Sequence, residues 1–284
     1  MPRTERTSEY VSPGSSIRIF SPALKWPSGF APSDGGGYEI QVLGPWVEQG
    51  PTGKNRLRKI DDYGKTKNGH SVILRLCFRN FRVLFGGDLN LPAEKFLLKS
   101  YAGIERWPDT PTEREAMLSK VRHRFDSEVL KVCHHGSSDV TDEFLEAVAP
   151  AAFVISSGDQ EGHVHPRPDL LGRLGRKGRG HSPVLLSTEL QRSSRDKEDA
   201  ALVARLKEDI KKQVVSQTPT RAKRIDEAID TLGRSNVDVD GAIYLKTDGD
   251  RLITAFKKES RSDTKKWFYF QYRIEDGKLL LDPR

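Results

Sequence analysis

Hydrophobic residues alternate with other residues in the first strongly patterned part of this chain. From Val72 to Phe78 every second position is apolar, which predicts a β-strand. A second apolar run, "FRVLFGG" (81–87), follows after a turn near Asn80. The two runs therefore predict an antiparallel hairpin.

Helical and strand patterns then alternate along the chain. A helix is predicted at "LPAEKFLLKSY" with Pro92 near its first position, and another at "TDEFLEAVAP" with Thr141 as its N-cap and Pro150 at its end. A third helix is predicted after Pro168. The strands predicted between and after these helices are "SEVLKVC", "AAFVISSG" and "SPVLLST". This order predicts an α/β fold in which helices cover a sheet.

The remaining parts of the chain have different patterns. Residues 1–60 are rich in Gly, Pro and Ser and contain one strand candidate, around residues 38–43. Between residues 194 and 233 apolar residues recur at helical spacing, which predicts two amphipathic helices that lie in a core or form a helical hairpin. Asp-Gly pairs at 248–249 and 276–277 stand between apolar runs and predict two β-hairpins.

These patterns divide the chain into four predicted parts. Residues 1–65 are a loop-rich segment, and residues 66–190 carry the alternating α/β elements. Residues 191–235 are a helical insertion, and residues 236–284 are β-hairpins that are expected to complete the sheet.

Composition restricts the class of protein. The chain has 284 residues and no apolar run of the length that spans a bilayer, so no membrane partner is expected. Its two cysteines do not form a Cys-x-x-Cys pair, and the amino terminus lacks the apolar core of a signal peptide, which favours the cytoplasm. The net charge of +7 fits attraction to a polyanion such as nucleic acid, or simply a solvated charged surface.

Potential metal ligands follow three of the predicted strands. Asp88 follows the first of them, His134 and His135 follow the second, and Asp159, His163 and His165 follow the third. The carboxyl ends of neighbouring strands in α/β folds meet at one edge, where ligands bind. A carboxylate with several imidazoles suits zinc, manganese or iron.

Each of these features also has an ordinary structural interpretation. A Gly-Asp pair commonly forms a turn, and paired histidines commonly lie on a surface or in a core. Their occurrence at three successive strand ends favours a metal or anion site. Ser137 and Ser138 stand shortly before a predicted helix, where hydroxyl and amide groups can bind an anion such as phosphate.

The segments "NGHSVILRLCFRNFRVLFGGDLN", "SEVLKVCHHGSSDVTDEFLEAVAPAAFVISSGD", "HVHPRPDLLGRLGR" and "GAIYLKTDGDRLI" carry a resemblance to a known family. Together they resemble the later half of a metallo-β-lactamase-fold hydrolase, of the subgroup related to the soluble domain of ComEC-type competence proteins. The resemblance covers roughly residues 38–190 and 240–257. It implies a partial αββα sandwich with a helical insertion and terminal β-hairpins.

The resemblance also implies roles for individual residues. Asp88, His134 and His165 match metal ligands. The paired histidines His134 and His135 match catalytic positions, and one of them is expected to touch the metal or to donate a proton to the leaving group. The implied cofactor is a divalent metal, zinc or manganese, and the implied substrate is a phosphodiester such as nucleic acid. Three further residues are candidates for substrate binding, namely Ser137, Ser138 and His163.

One part of the family pattern does not occur in this chain. The principal metal motif, His-x-His-x-Asp-His, belongs to the first half of the fold, and residues 1–70 contain no histidine except His70. The sequence therefore leaves three alternatives open. The chain is part of a metal-dependent hydrolase whose other half comes from another polypeptide, a non-catalytic binding or scaffold module, or a truncated pseudoenzyme.

Overall fold

The fold is mixed α/β, as the sequence predicts. A computed structural model describes residues 25–157, 165–180, 182–188, 200–233, 242–257 and 267–282. The strands are β1 (Glu39–Gly44), β2 (Glu48–Gln49), β3 (Asn55–Arg56), β4 (Ile73–Phe78), β5 (Phe81–Phe85), β6 (Val129–Lys131), β7 (Ala152–Ile155), β8 (Val184–Ser187), β9 (Ile243–Thr247), β10 (Arg251–Lys257), β11 (Trp267–Glu275) and β12 (Lys278–Leu281). The helices are α1 (Tyr63–Gly69), α2 (Leu91–Ala102), α3 (Pro111–Phe125), α4 (Asp142–Val148), α5 (Pro168–Lys177), α6 (Ala200–Val215) and α7 (Pro219–Gly233).

A six-stranded sheet in the order β1-β4-β5-β6-β7-β8 forms the centre of the molecule. The predicted hairpin is confirmed, because β4 and β5 are antiparallel and Phe78 pairs with Phe81 across the turn. Strands β5 to β8 run parallel to one another. The carboxyl ends of β5, β6 and β7 therefore lie at the same edge of the sheet.

Helices α2 to α5 cover one face of this sheet. Their apolar residues join the sheet in a buried core that includes Leu98, Leu118 and Phe144. Phe125 of α3 lies at the middle of this layer, with its ring 5.1 Å from that of Tyr101 and 5.8 Å from that of Phe144. Each such side chain contributes about 1.5–3 kcal/mol through its burial.

The predicted C-terminal hairpins form a second sheet of four strands, in the order β12-β11-β10-β9, and do not extend the first. The second sheet packs on the face of the first that is opposite the helices. Leu252 and Tyr272 contact Phe81, Val129 and Ala152 in this interface. The described layers are therefore helices, a first sheet and a second sheet.

Helices α6 and α7 confirm the two amphipathic helices predicted between residues 194 and 233. They lie against each other, and an ion pair joins Arg224 of α7 to Asp209 of α6 at 2.7 Å. Two other helices, α1 and α3, are not among those predicted from the pattern. Among the described residues, no helix combines the length and the apolar character needed to cross a bilayer.

Candidate functional site

Three loops meet at the edge where β5, β6 and β7 end. The amide of His134 donates a hydrogen bond to the carbonyl oxygen of Gly87 at 2.9 Å, which ties the loop after β6 to the loop after β5. The amide of Arg167 donates to the carbonyl oxygen of Gly136 at 2.9 Å, which ties the segment before α5 to the same place. The backbone therefore brings Asp88, His134, His135 and His165 to one edge of the sheet.

Two glycines allow these loops to approach one another. Gly87 has φ 55° and Gly136 has φ 91°, in the left-handed region that favours glycine. A Cβ atom on Gly87 would lie 2.7 Å from the Cβ of Ser71, and one on Gly136 would lie 2.7 Å from the Cβ of Pro166. Any larger residue at either position would push the loops apart.

The paired histidines themselves adopt an unusual backbone conformation. His134 has φ 46° and ψ 48°, and His135 has φ 54° and ψ 16°. Left-handed conformations at residues other than glycine cost on the order of 1–3 kcal/mol each and concentrate at functional sites. Such a conformation at two successive histidines indicates that their placement at this edge is held against local preference.

Asp88 and His135 form the first pair of side chains. The Nε2 atom of His135 lies 3.5 Å from the Oδ1 atom of Asp88, and both side chains are partly exposed. The Nδ1 atom of His135 lies 2.8 Å from the carbonyl oxygen of Ser156. Because a carbonyl can only accept, Nδ1 carries the proton of this hydrogen bond, and Nε2 is the ring nitrogen that faces Asp88. An imidazole nitrogen and a carboxylate oxygen at this spacing suit a shared cation or a shared proton.

His134 and His165 form the second pair. Their ring centroids are 6.0 Å apart. The Nδ1 atom of His134 is buried, and no described residue gives it a hydrogen-bond partner. A buried nitrogen in this state needs an explanation, and a bound ion or water molecule is a common one.

The donor set partly fits a divalent metal. Two ligands of a tetrahedral zinc ion, each about 2.0–2.2 Å from the metal, stand roughly 3.4 Å apart, which is close to the spacing between Asp88 and His135. However, among the described residues no group of three or more His, Cys, Asp or Glu side chains is arranged to hold a metal ion. Asp159 and His163 lie outside the described residues. The metal site therefore stays a prediction, with two ligands suitably spaced.

The two predicted phosphate-binding serines stand beside the histidines and take part in local hydrogen bonds. The hydroxyl oxygen of Ser137 accepts a hydrogen bond from the amide of Asp139 at 3.3 Å. The hydroxyl of Ser138 donates to the carboxylate of Asp169 at 2.9 Å, and this bond is the largest of the effects that lower the pKa of Asp169. A carboxylate so close to Ser138 disfavours a phosphate there. The phosphate-binding role of the two serines stays a prediction.

A buried acid behind the site is absent from the predicted set. Glu94 of α2 is fully buried, and its carboxylate accepts a hydrogen bond from the amide of Thr141 at 2.5 Å. Burial is the largest effect on this carboxyl group and raises its pKa to about 8. Burial likewise raises the pKa of the Cys133 thiol, and the charge of Glu94 adds to that increase. A glutamate near the start of a helix is typical of a solvent-exposed residue, so the sequence carries no signal for this position.

A cavity of about 520 Å³ lies beside β1, the strand at one end of the first sheet. Its lining includes the aromatic residues Trp26, Trp46 and Tyr101 together with Arg124. Among the described residues, none of the predicted site residues lines this cavity. The candidate site is thus an open edge, separate from this cavity.

Comparison with known proteins gives a limited similarity. The chain is 31% identical over 134 residues to the competence protein ComA of Neisseria gonorrhoeae. The match covers 47% of this chain and 15% of that protein, so the chain spans a small part of its relative's length. No family model matches the chain.

Proposed function

We propose that this chain is part of a metal-dependent hydrolase with the metallo-β-lactamase fold that acts on phosphodiester bonds. The observation that carries the proposal is the meeting of Asp88 and His135 at 3.5 Å, at the edge where three parallel strands end. The similarity to a protein named a competence protein supports the same subgroup that the sequence motifs resemble.

In this proposal Asp88 and His135 are two ligands of a divalent ion, zinc or manganese. The carbonyl of Ser156 holds the His135 ring by its Nδ1 proton, which leaves Nε2 for the ion. His134 and His165 face each other on the other side of the site and supply either a further ligand or a proton donor to the leaving group. When bound, the ion lowers the pKa of a water molecule and offsets negative charge on the phosphoryl oxygens.

Further ligands come from another segment in the proposed enzyme. Catalytic zinc sites use three protein ligands, which Asp88, His135 and either His134 or His165 can supply, whereas a two-metal site needs more. Residues 1–70 contribute one histidine, His70, and its Nε2 atom lies 2.7 Å from the carbonyl oxygen of Arg58. We therefore propose that another polypeptide segment carries the missing His-x-His-x-Asp-His motif and docks against this edge.

Charge and cysteine chemistry support the proposed substrate class and location. The net charge of +7 supports a phosphodiester substrate such as nucleic acid. Cys77 and Cys133 are both free thiols, which supports a reducing compartment such as the cytoplasm.

Metal binding by the purified chain tests the proposal most directly. Titration with Zn²⁺ or Mn²⁺ should show a site, and Asp88→Ala or His135→Ala should weaken the affinity by at least about tenfold. His123→Ala removes an exposed histidine of α3 and serves as the matched control, with no expected change. Less than about a tenth of an equivalent of bound metal in the wild type, or equal losses in all three variants, would refute the metal site.

A second candidate function is a non-catalytic binding or scaffold module. It is favoured by the lack, among the described residues, of a complete group of three ligands. Hydrolysis of bis-p-nitrophenyl phosphate, measured with and without the co-expressed segment that carries the missing motif, separates the two. Turnover that requires Asp88 supports the hydrolase, and metal-independent partner binding without turnover supports the module.

A further inference from the structure

The outer face of the second sheet carries large exposed side chains. Residues on β10 and β11 alternate between the two faces, so Leu252 and Tyr272 are buried against the first sheet. On the opposite face Ile253 is 37% exposed and Tyr269 is 51% exposed. The face is therefore accessible along the middle of the sheet.

Aromatic rings cluster at one end of this outer face. Ala255 of β10 pairs with Tyr244 of β9 on one side and with Tyr269 of β11 on the other, so both tyrosines share its face. Tyr244 is 58% exposed, and its ring lies 5.0 Å from that of Trp267 in an edge-to-face contact. Ala255 is only 7% exposed because neighbouring side chains cover it, whereas the two tyrosines remain exposed.

Basic side chains also lie on this outer face, among apolar and polar residues such as Ile253. Arg251 and Arg273 pair directly across β10 and β11, and both are exposed. Like charges that stand directly opposite each other destabilise a sheet. Arg273 forms an ion pair with Glu275 at 2.9 Å. Lys246 of β9 lies on the same face and adds a further positive charge. A bound anion would offset the repulsion between the two arginines.

We propose that this face binds a single-stranded polynucleotide. Unpaired bases stack on Tyr244, Trp267 and Tyr269, and the phosphates of the same strand contact Lys246, Arg251 and Arg273. Aromatic rings beside a basic track are the means by which proteins bind single strands without reading sequence. Successive residues on one face of a strand are about 6.6–6.8 Å apart, which suits an extended nucleic-acid backbone.

The arrangement of these side chains favours a bound polynucleotide over a protein layer packed on this face. An apolar helix layer on this face would bury two opposed arginines. Arg273 pairs with Glu275 and no ion pair to a described residue is formed by Arg251, so removing these charges from water is costly. A double helix is also disfavoured, because its bases are already stacked and cannot lie on the tyrosines. The inference does not rest on the proposed hydrolysis, since the face lies on the second sheet and uses none of the candidate metal ligands.

Fluorescence anisotropy with a labelled oligothymidylate of about 12 nucleotides tests the proposal. The full chain is used in buffer with EDTA, so that binding is measured without any metal-dependent cleavage. Tyr244→Ala and Tyr269→Ala should each weaken binding by about 5- to 100-fold, while Tyr269→Phe retains the ring and should bind nearly as the wild type does. Arg251→Ala and Arg273→Ala should each lower the slope of log affinity against log salt by about 0.7.

Matched controls separate this face from general surface effects. Tyr63→Ala removes a tyrosine of α1 that is 83% exposed. Arg122→Ala removes an arginine of α3 that pairs with Glu115 much as Arg273 pairs with Glu275. Neither control should change the affinity. The proposal is overturned if no binding occurs at low salt, if a duplex of equal length binds as tightly, or if the controls lose as much affinity as the face variants.

Discussion

Glu94 makes the stability of this protein depend on pH through a single buried group. Burial raises the pKa of its carboxyl from 4.5 to about 8 in the folded protein. Between these two values the folded state holds a proton that the unfolded chain has released. The free energy of unfolding therefore falls as pH rises, by about 1.4 kcal/mol per pH unit from this group, and the fall ends above about pH 8.

Glu94→Gln should remove this dependence, because the amide stays neutral and its oxygen can still accept from the amide of Thr141. Urea unfolding at several values between pH 5 and pH 8.5 measures the effect. The stability of the variant relative to the wild type should increase steadily with pH across this range. Glu105→Gln, at an exposed glutamate, is the control and should give a constant difference. A constant difference for Glu94→Gln as well would mean that Glu94 titrates normally.

Residue-level chemistry could be predicted from the sequence only in part. Strand-end positions were enough to expect Asp88 and the histidines near one another. The sequence could not show that Asp88 faces His135 rather than His134, because this depends on left-handed conformations at two successive histidines. Nor could it show the burial of Glu94, which depends on how α4 docks against α2.

At the scale of elements, α3 is a helix that the hydrophobic pattern of the sequence did not predict. Thr110 and Glu113 form a capping box, and Pro111 occupies the first turn, so the signals for a helix start are present. The apolar residues that face the core form a narrow stripe among many charged ones, namely Met117, Leu118, Val121 and Phe125. The strong apolar runs of the strands and of α2 and α4 were predicted, whereas this charged helix was not.

Thr110→Ala should lower the free energy of unfolding by about 1 kcal/mol, because the Thr110 hydroxyl oxygen accepts a hydrogen bond from the amide of Glu113 at 3.2 Å. Thr110→Ser keeps the hydroxyl and should stay within a few tenths of a kcal/mol of the wild type. Urea unfolding followed by circular dichroism measures both variants. Equal losses in the two variants would show that the hydroxyl does not act as the cap.

At the scale of the whole molecule, the placement of the second sheet could not be predicted from the sequence. The first part of β11, "WFYF", is apolar on both faces, so alternation does not say which face is buried. In the structure, contacts between residues far apart in the chain determine which face of the second sheet is buried. Arg79, in the turn between β4 and β5, donates a hydrogen bond to the carbonyl oxygen of Asp248 at 3.0 Å.

An ion network around the buried Glu128, beside this interface, provides the last prediction. The carboxylate of Glu128 accepts hydrogen bonds from the amide of Arg82 at 2.7 Å and from the guanidinium of Arg179 at 3.2 Å. Arg179 also donates a hydrogen bond to the carbonyl oxygen of Gly277, in the second sheet. Burial alone would raise the pKa of Glu128, but the two arginines outweigh it and hold that pKa below its usual value. The stabilisation is therefore present above about pH 4.5 and is lost as pH falls through the lower folded pKa.

Glu128→Gln should reduce the free energy of unfolding at neutral pH by about 2 kcal/mol, because it removes the buried charge that Arg82 and Arg179 share, while Asp126 still pairs with both arginines. Glu115→Gln, which breaks the exposed pair with Arg122, should cost less than about 1 kcal/mol. The difference between the Glu128 variant and the wild type should also shrink below pH 4.5, where the wild-type carboxylate takes up its proton. If the two substitutions cost the same at pH 7, the network does not hold the second sheet in place, and apolar contacts such as those of Leu252 and Tyr272 are sufficient on their own.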